Sequence, residues 1–378
     1  MTEQRRIRCA ILRAGTSKGM FLMENDLASD AAQRDREILA IFGSPDVRQI
    51  DGLGGADPLT SKVAIIGPST RDDADVDYTF GQVSINTAMI DYSGNCGNIS
   101  AGVGPFAIDE GLVRAVEPIT LVRINNTNTG KILIAEVPVK DGKAQVKGDY
   151  KVDGVPGTGA RIMLDFAGTT GSVTNKMLPT GNVVDVLTIE GFGKIEASIV
   201  DVANPMVFVR AKDLGLTGTE TPAQINGNKE MLDLLEKIRG KAATMIGMAK
   251  DEAGALKNSP AFPMIAFVSE AQNYCDFTTG NEITADQVDF VSRLMFMQVV
   301  HKTYAGTGTT CTGAAAKIPG SIVNQVTHSE SPLVRIGHPA GVIDIEVQVS
   351  KEGDGIKLER AAFGRTARRI MDGYVYIQ

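Results

Sequence analysis

The 378-residue chain is long enough for two domains, each with a sizeable hydrophobic core. Its 38 Lys and Arg residues against 45 Asp and Glu residues give a formal charge of −7, and the basic residues form no blocks, which argues against nucleic acid or an anionic membrane as a partner. The 43% hydrophobic and 22% charged residues are typical of a globular protein and exclude a disordered, collagen-like or coiled-coil chain. A small anionic substrate stays compatible with this charge, because a pocket can be locally positive.

β-Branched segments, several of them alternating apolar and polar residues, predict that strands dominate the chain. In the first half these segments are Arg6–Leu12, Lys62–Gly67, Tyr78–Ile85, Thr120–Asn125, Lys131–Lys140 and Ala160–Phe166. In the second half they are Val183–Ile189, Lys194–Asp201, Met206–Arg210, Pro263–Val268, Asp344–Ser350 and Gly355–Ala362. Turns rich in Gly, Asp and Asn separate them, as in antiparallel or mixed sheets.

Helical spacing of apolar residues predicts helices over Asp26–Phe42, Asn228–Gly247 and Thr284–Thr303. The last of these begins with a Thr and a Gln at the spacing of a capping box. A further helix is predicted over Ile99–Leu112. Proline lacks the N–H that a helix interior needs, so Pro105 is expected in its first turns.

Two short segments resemble each other: YSGNCGNISAG at Tyr92–Gly102 and GTGTTCTGAAA at Gly306–Ala316. Each joins a Gly-rich turn and a cysteine to small residues that can enter a helix. We therefore expect two similar halves, each with a cysteine at a helix N-terminus, with the boundary near Pro179–Val183. The alternative is that turns rich in small residues recur by chance.

The cysteines and histidines do not suggest a disulfide framework or a metal centre. Four scattered cysteines contain no Cys-x-x-Cys pair, and the three histidines, at 301, 328 and 338, have no metal-ligand spacing. Residues 1–12 show no signal-peptide apolar region, and no apolar run approaches a membrane span. We expect a soluble cytoplasmic protein. Phosphate-binding loops, dinucleotide fingerprints and nucleophile elbows are also missing from the sequence.

Cys96, in the run GNCGN, is the strongest candidate for chemistry. At a helix N-terminus a thiolate is stabilised by the helix dipole, and the free N–H groups there can bind a carboxylate. The alternative is a small buried cysteine, although Gly and Asn neighbours are unusual for a core thiol. The same argument applies less strongly to Cys311, while Cys9 is predicted to be core and Cys275 incidental.

Two Thr-Ser-Lys triplets form the next candidate feature. Lys62 enters the apolar strand Val63–Ile66, where a lysine that faces a cleft has a lowered pKa or pairs with a carboxylate. An exposed edge lysine is the alternative. In the other triplet, Thr16 and Ser17 are either donors to an anion or ordinary turn residues. Asn204-Pro205 and His338-Pro339 are turn-like and, from the residues alone, structural.

Six motifs together resemble the PrpF-like isomerases of the diaminopimelate epimerase fold superfamily, over essentially the whole chain: GTSKG, DGLGGADPLTSK, GNCGNISAGVGPFAIDEG, NTNTG, VDVANP and IGHPAG. The resemblance implies an α/β (α+β) fold of two topologically similar domains, each with a mixed, mainly antiparallel sheet around a central helix. The expected domains are 1–183, joined by the C-terminal segment 364–378, and 184–363. The resemblance also implies an active site between the domains, a homotetramer, and no metal, pyridoxal phosphate or nicotinamide.

The activity implied by this resemblance is a cofactor-independent double-bond shift by 1,3-proton transfer in an unsaturated dicarboxylate. The motifs are most similar to members that convert (R)-3-methylitaconate to 2,3-dimethylmaleate in nicotinate degradation. The alternatives within the class are 2-methylaconitate isomerase and oxalomesaconate tautomerase, which need one more carboxylate site. A non-catalytic dicarboxylate-binding protein is the alternative from a different class.

The same resemblance assigns the catalytic pair to Lys62 and Cys96, with Cys96 favoured as the base and Lys62 as the acid or electrostatic partner. The reverse assignment stays open. The predicted substrate-binding residues are Ser17, Thr16, Gly97, Asn98, Ser100, Asn204, Thr309, Thr310, Cys311 and His338. The run TTCTG around Cys311 departs from the second-thiol motif of the epimerases, which argues against a two-thiol epimerisation.

Overall fold

Strands dominate both halves of the chain, as their β-branched residues predict. The computed structural model describes residues 3–327, 330–353 and 355–378, so His328 lies outside the described residues. The contacts divide the chain into two units. Unit 1 is Met1–Leu164 with Arg365–Gln378, and unit 2 is Asp165–Gly364.

The first part of the chain forms most of unit 1, and its last strand, β11, crosses the boundary between the two units. Its helices are α1 (Ala31–Phe42) and α2 (Gly97–Asp109), preceded by a 3-10 turn at Glu24–Asp26. Its strands are β1 (Arg5–Ala14), β2 (Ser17–Met23), β3 (Lys62–Pro68), β4 (Val76–Val83), β5 (Ile90–Asp91), β6 (Ile119–Asn126), β7 (Lys131–Lys140), β8 (Lys143–Ala144), β9 (Tyr150–Lys151), β10 (Thr158–Gly159) and β11 (Ile162–Asp165).

Unit 2 follows, and the final strand, β23 (Ala367–Ile377), returns to unit 1. The helices of unit 2 are α3 (Pro222–Asn226), α4 (Lys229–Met245), α5 (Glu252–Asn258), α6 (Gly306–Lys317) and α7 (Ile322–Val326), with 3-10 turns at Ala167–Thr169, Ala211–Leu214 and Ala285–Gln287. Its strands are β12 (Asp185–Ile189), β13 (Gly193–Val202), β14 (Asn204–Arg210), β15 (Met264–Glu270), β16 (Tyr274–Cys275), β17 (Glu282–Ile283), β18 (Phe290–Phe296), β19 (Val299–Val300), β20 (Leu333–His338), β21 (Gly341–Glu352) and β22 (Gly355–Arg365).

The main sheet of unit 1 runs in the order β23-β1-β2-β3-β4-β6-β7. The pairs β2–β3 and β4–β6 are parallel, and the others are antiparallel. Alternation along β2 and β3 sends Met20, Leu22, Val63 and Ile65 into a core with α1, so the residues between them face the other way. That other face of the sheet is covered by α2.

Helix α2 is the centre of unit 1, since it contacts β1, β2, β3, β4, β6, β7 and β23 and is buried from Gly97 to Ile108. Such close packing needs small residues: a Cβ at Gly102 would lie 2.6 Å from Phe21 Cζ. The expectation that Pro105 lies in the first turns is wrong, because the helix starts two residues earlier than predicted and continues past the proline. The packing of α2 against the surrounding strands offsets the loss of the one backbone hydrogen bond that proline cannot make.

Unit 2 repeats this arrangement. From β13 to β21 its sheet runs β13-β14-β15-β18-β20-β21, with parallel pairs at β14–β15 and β18–β20 and antiparallel pairs elsewhere. This is the sequence of pairings found in β1-β2-β3-β4-β6-β7, with the central helix again placed in the chain before the fifth strand. Helix α6 is the equivalent of α2: it is buried from Gly306 to Ala316 and contacts β13, β14, β20 and β21.

All the predicted strands are present, but one of the predicted helices is not. The predicted helix over Thr284–Thr303 is wrong: its capping box is formed, yet it opens only a 3-10 turn, and the apolar residues that follow form β18 and β19. Those residues are buried on both faces of a strand, so their dense pattern imitates a buried helix. The helix predicted at Asn228–Gly247 is confirmed, with Asn228 as its N-cap.

The first predicted helix starts later than expected, at Ala31, where Asp30 caps it. Cys9 is buried in the core of unit 1, as predicted. In the part of the chain that the structure describes, no helix is both long enough and apolar enough to cross a membrane.

Candidate active site

The turn between β1 and β2 packs against the first turn of α2. Gly15 has φ +52°, and a Cβ there would lie 2.1 Å from Asn98 Oδ1, so this position requires glycine. The Thr16 N–H donates to Asn98 Oδ1 at 3.3 Å, and Asn98 Nδ2 donates to Thr16 Oγ1 at 3.1 Å. The predicted residues Thr16 and Asn98 are thus in direct contact, and they hold the turn at the N-terminus of the helix.

Cys96 is the N-cap residue of α2, and its side chain makes no capping hydrogen bond. The backbone is fixed on both sides: the Cys96 N–H donates to Asn95 Oδ1 at 2.7 Å, and the Cys96 carbonyl accepts from Ser100 N at 2.8 Å and from Ser100 Oγ at 2.9 Å. The thiol is half-buried. It therefore lies at the positive end of the helix dipole, beside first-turn N–H groups, including that of Gly97, that have no acceptor within the helix.

Lys62 begins β3 on the face of the sheet that α2 covers, and only 2% of it is exposed. Its Nζ donates to Gln82 Oε1 at 2.7 Å and lies 5.4 Å from the centre of the Phe80 ring. Cys96 lies close enough to the Lys62 amine to raise its pKa through its charge and through hydrogen bonding. The two residues that the sequence selected as the catalytic pair therefore interact with each other within unit 1.

Burial and the neighbouring acidic groups shift the protonation equilibrium of Lys62 in opposite directions. Burial lowers the pKa of Lys62 below its ordinary value of 10.5, and Cys96 and then Asp57 oppose that shift in part. A buried amine with a reduced pKa and an acidic group beside it gains and loses a proton more readily than an exposed lysine does.

Three residues near this pair were not selected from the sequence. Gln82 and Phe80 contact the Lys62 amine directly. Tyr78 is fully buried, and its pKa is raised by burial and by the nearby Cys96. The alternation of β4, which sends residues 78, 80 and 82 to one face, was the signal that could have indicated them once Lys62 was chosen.

Arg365 is a fourth residue that sequence reasoning missed. Its guanidinium is buried, with 2% of the residue exposed, and its Nε donates to Asn98 Oδ1 at 2.9 Å. Burial lowers the pKa of Arg365 to about 10, an effect that Tyr150 and Cys96 oppose through their charges. A positive charge thus lies within electrostatic reach of the thiol, brought there by a residue 269 positions later in the sequence.

The two serines of unit 1 that were predicted to bind substrate differ in the surroundings of their hydroxyl groups. Ser17 is buried, and in the described part of the chain its Oγ has no hydrogen-bond partner. Ser100 is fully buried, and its Oγ donates back to the Cys96 carbonyl. A buried hydroxyl without a partner is costly, which makes Ser17 a natural donor for a bound anion.

The other predicted residues belong to unit 2 and pack around α6. Asn204 is fully buried, and its Nδ2 donates to Thr307 Oγ1 at 2.8 Å. The hydroxyls of Thr309 and Thr310 donate to helix carbonyls four residues earlier. His338 is buried, and its Nδ1 accepts from the Ala340 N–H at 3.2 Å.

The prediction that Cys311 lies at a helix N-terminus is wrong. Helix α6 already starts at Gly306 with Ala305 as its N-cap, so Cys311 lies in the helix interior. The Gly-Thr run that looked like a turn is helical because the buried threonine hydroxyls bond to the helix itself. The thiol is fully buried and donates to the Val200 carbonyl at 3.3 Å, and burial raises its pKa.

The fold and site define the class of the protein. The family model described as PrpF protein matches residues 4–378, and the chain belongs to this family. It is an isomerase, and its fold is the epimerase-like fold that the motifs predicted.

Particular relatives resemble the chain over nearly its full length. A 3-methylitaconate isomerase of Eubacterium barkeri is 65% identical over 380 residues, covering 100% of this chain and 99% of the relative. A 2-methyl-aconitate isomerase of Shewanella oneidensis is 39% identical, covering 99% of this chain and 97% of the relative.

Solved structures agree with these matches. A crystal structure of methylitaconate-delta-isomerase is similar with a TM-score of 0.82 at 65% identity, covering 100% of this chain and 96% of that chain. A hydroxyproline epimerase from Agrobacterium vitis shares the fold, with a TM-score of 0.62 at 13% identity, covering 100% of this chain and 94% of that chain.

Proposed function

We propose that the chain is a cofactor-independent isomerase that converts (R)-3-methylitaconate to 2,3-dimethylmaleate, with Cys96 and Lys62 of unit 1 as its catalytic residues. The observation that carries this proposal is the interaction of a buried amine with a thiol at a helix N-terminus. The similarity to the Eubacterium barkeri enzyme supports the substrate.

The pair supplies both proton transfers that the reaction needs. The Cys96 thiolate removes the proton from C3, the C2–methylene double bond moves to C2–C3, and the Lys62 ammonium protonates the former methylene carbon. Cys96 is then a thiol and Lys62 a neutral amine, so the transfer of one proton from Cys96 to Lys62 restores the starting state. The reduced pKa of Lys62 supports this cycle, since a buried ammonium releases its proton more readily than an exposed one.

The substrate carboxylates meet positive groups at the same helix end. As C3 loses its proton, negative charge spreads into the neighbouring carboxylate, and preorganised donors stabilise that charge best where water is excluded. The first-turn N–H groups of α2, the Ser17 hydroxyl and the Arg365 guanidinium supply such donors. Asn98, which holds both the β1–β2 turn and Arg365, keeps these donors together.

The test is to offer the purified protein racemic 3-methylitaconate, 2-methylaconitate and oxalomesaconate separately and to follow each product by ultraviolet absorbance and NMR. We expect the largest kcat/KM for 3-methylitaconate, with 2,3-dimethylmaleate as product. A larger kcat/KM for a tricarboxylate would replace the proposed substrate but keep the chemistry. Binding of 3-methylitaconate without turnover would instead support a dicarboxylate-binding protein.

We propose the assembly, compartment and pathway on the same resemblance: a cytoplasmic homotetramer that acts in nicotinate degradation. Sedimentation of the purified protein tests the first point, and fractionation of the source cells tests the second. A dimer or a monomer at assay concentration would overturn the proposed assembly without affecting the chemistry.

A further inference from the structure

Gln82 stands directly opposite Lys62 in the antiparallel register of β3 and β4. Residues directly opposite each other share one face of a sheet, so the two side chains point together towards α2. Only 1% of Gln82 is exposed, and its Oε1 accepts from Lys62 Nζ at 2.7 Å. This hydrogen bond fixes the direction of the amine, which also interacts with Cys96.

The amide of Gln82 cannot exchange its ends. Its Nε2 donates to the Ser61 carbonyl at 3.0 Å and to the Pro58 carbonyl at 3.2 Å, which accept but cannot donate. The oxygen end is therefore forced to face Lys62. The backbone that leads into β3 thus fixes Gln82, and Gln82 in turn presents a fixed acceptor to the amine.

We propose that Gln82 is the positioning residue of the proposed reaction: it holds Lys62 Nζ against Cys96 and favours the protonated amine that delivers the second proton. The inference rests on the proposed function for the identity of that reaction. It goes beyond it in assigning a role to a residue whose hydrogen bonds go to Lys62 and to backbone carbonyls. An ammonium offers a donor to the Gln82 oxygen with full positive charge, so this acceptor stabilises the ammonium more than the amine.

Other charged and titratable groups face Lys62 as well, and they stay unchanged when Gln82 is altered. From the N-terminus of α2 comes Cys96, and from the loop before β3 comes Asp57. Tyr78, on the same face of β4, and Arg365 act on Cys96. Asp91 of β5 stands opposite Gln82, and its Oδ1 accepts from the Ser93 N–H.

Two substitutions of Gln82 are expected to shift the protonation equilibrium of Lys62 in opposite directions. Gln82→Met keeps the length of the side chain and removes the acceptor, so the pKa of Lys62 falls. Gln82→Glu places a carboxylate beside the ammonium, so that pKa rises. We expect Gln82→Met to lower kcat by about 10²-fold, as a small misplacement of a catalytic group does, with little change in KM. In the pH profile of kcat, the fall at high pH (the alkaline limb) should move to lower pH in Gln82→Met and to higher pH in Gln82→Glu.

Gln49→Met is the matched control. Gln49 is another buried glutamine of unit 1, whose Oε1 accepts from the Ala56 N–H and the Ser61 hydroxyl and which does not contact the Lys62 amine. It should lose stability without moving the alkaline limb. If Gln82→Met keeps the wild-type kcat, or if the limbs of both Gln82 variants move in the same direction, the assignment is wrong.

A measurement without substrate separates this inference from the proposed function. In protein with ¹³Cε-labelled lysine, the Lys62 signal is identified by its loss in Lys62→Met and followed against pH. A titration that shifts up in Gln82→Glu and down in Gln82→Met supports the inference whatever the substrate is. A Lys62 titration that is unchanged in both variants overturns the inference. If Gln82→Met does not fold, the titration in Gln82→Glu is sufficient to decide.

Discussion

The two units share one order of strands around one buried helix, yet they differ at the positions that matter for chemistry. Lys62 stands opposite Gly19 of β2, and in unit 2 the same place, opposite Met206 of β14, is taken by Met264. The N-cap of the central helix is Cys96 in unit 1 and Ala305 in unit 2.

The position of Gln82 differs in the same way. Continuing the antiparallel register of β15 and β18 by one residue places Phe296 opposite Met264. The amine, its acceptor and the thiol of unit 1 thus correspond to a methionine, a phenylalanine and an alanine in unit 2. The comparison teaches that the fold itself needs none of the three polar groups, because apolar side chains fill the same places in unit 2. Their presence in unit 1, despite the cost of burying them, points to function.

The strongest test of this difference is to give unit 1 the residues of unit 2. Cys96→Ala and Lys62→Met each remove a group that transfers a proton, so we expect each to lower kcat by about 10²–10⁴-fold while the protein stays folded. Steady-state kinetics with 3-methylitaconate measures the effect, and circular dichroism checks folding. Cys275→Ala, which removes an exposed thiol, is the control and should keep wild-type kcat. Wild-type rates in either active-site variant would show that the polar pair has no catalytic role.

A substitution of Arg365 tests the contribution of unit 1 to substrate binding. Arg365→Met removes a charged donor from the helix end, and since a hydrogen bond to a charged group contributes about 1.5–3 kcal/mol, we expect KM to rise by about one to two orders of magnitude. Arg365→Lys should restore part of this loss because it keeps the charge. The exposed Arg368, replaced by Met in the same way, is the control. An unchanged KM in Arg365→Met would place the carboxylate sites elsewhere.

The pH dependence of kcat follows from the buried amine. With Lys62 as the acid, activity needs its protonated form, and burial lowers its pKa below 10.5. Activity should therefore fall as the pH rises through that reduced pKa, and Lys62→Arg, which stays protonated, should move the fall to higher pH. A pH series of kcat from 6 to 11 measures it. A fall at the same pH in wild type and Lys62→Arg would assign the limb to another group.

The smallest effect is expected at the thiol of unit 2. Cys311→Ala removes a buried sulfur that donates to the Val200 carbonyl, so stability should fall by about 1 kcal/mol through the small cavity. We expect kcat to stay at the wild-type value, because the one-thiol mechanism does not use Cys311. Urea unfolding and steady-state kinetics separate the two effects. A large loss of kcat at unchanged stability would favour a two-thiol mechanism.

The strands, and the place of Cys96 at a helix N-terminus, could be predicted from the sequence because their signals are local. A β-branched run predicts a strand, and a cysteine between Gly and Asn predicts an unusual thiol. The prediction of a helix over Thr284–Thr303 was wrong because a strand buried on both faces has the same dense apolar pattern as a buried helix. The prediction for Cys311 was wrong for a related reason. A run of Gly and Thr residues is compatible with a turn and with a buried helix, and the sequence alone does not distinguish the two.

The supporting residues of the site could not be predicted, since their positions depend on pairing across the chain. Gln82 meets Lys62 through the register of their strands, and Arg365 contacts Asn98, which lies 267 residues earlier in the chain. Nothing in their local sequence indicates this. Such partners become visible only when strand order and register are known.

Deuterium incorporation during turnover in D₂O is the most direct measurement of the central claim. NMR should find one deuterium in the new methyl group of 2,3-dimethylmaleate made by the wild-type protein, and Lys62→Met and Cys96→Ala should leave 3-methylitaconate unconverted and its C3 proton unexchanged over the same period. Rapid exchange at C3 in the double variant Lys62→Met/Cys96→Ala would contradict the assignment of proton transfer to this pair.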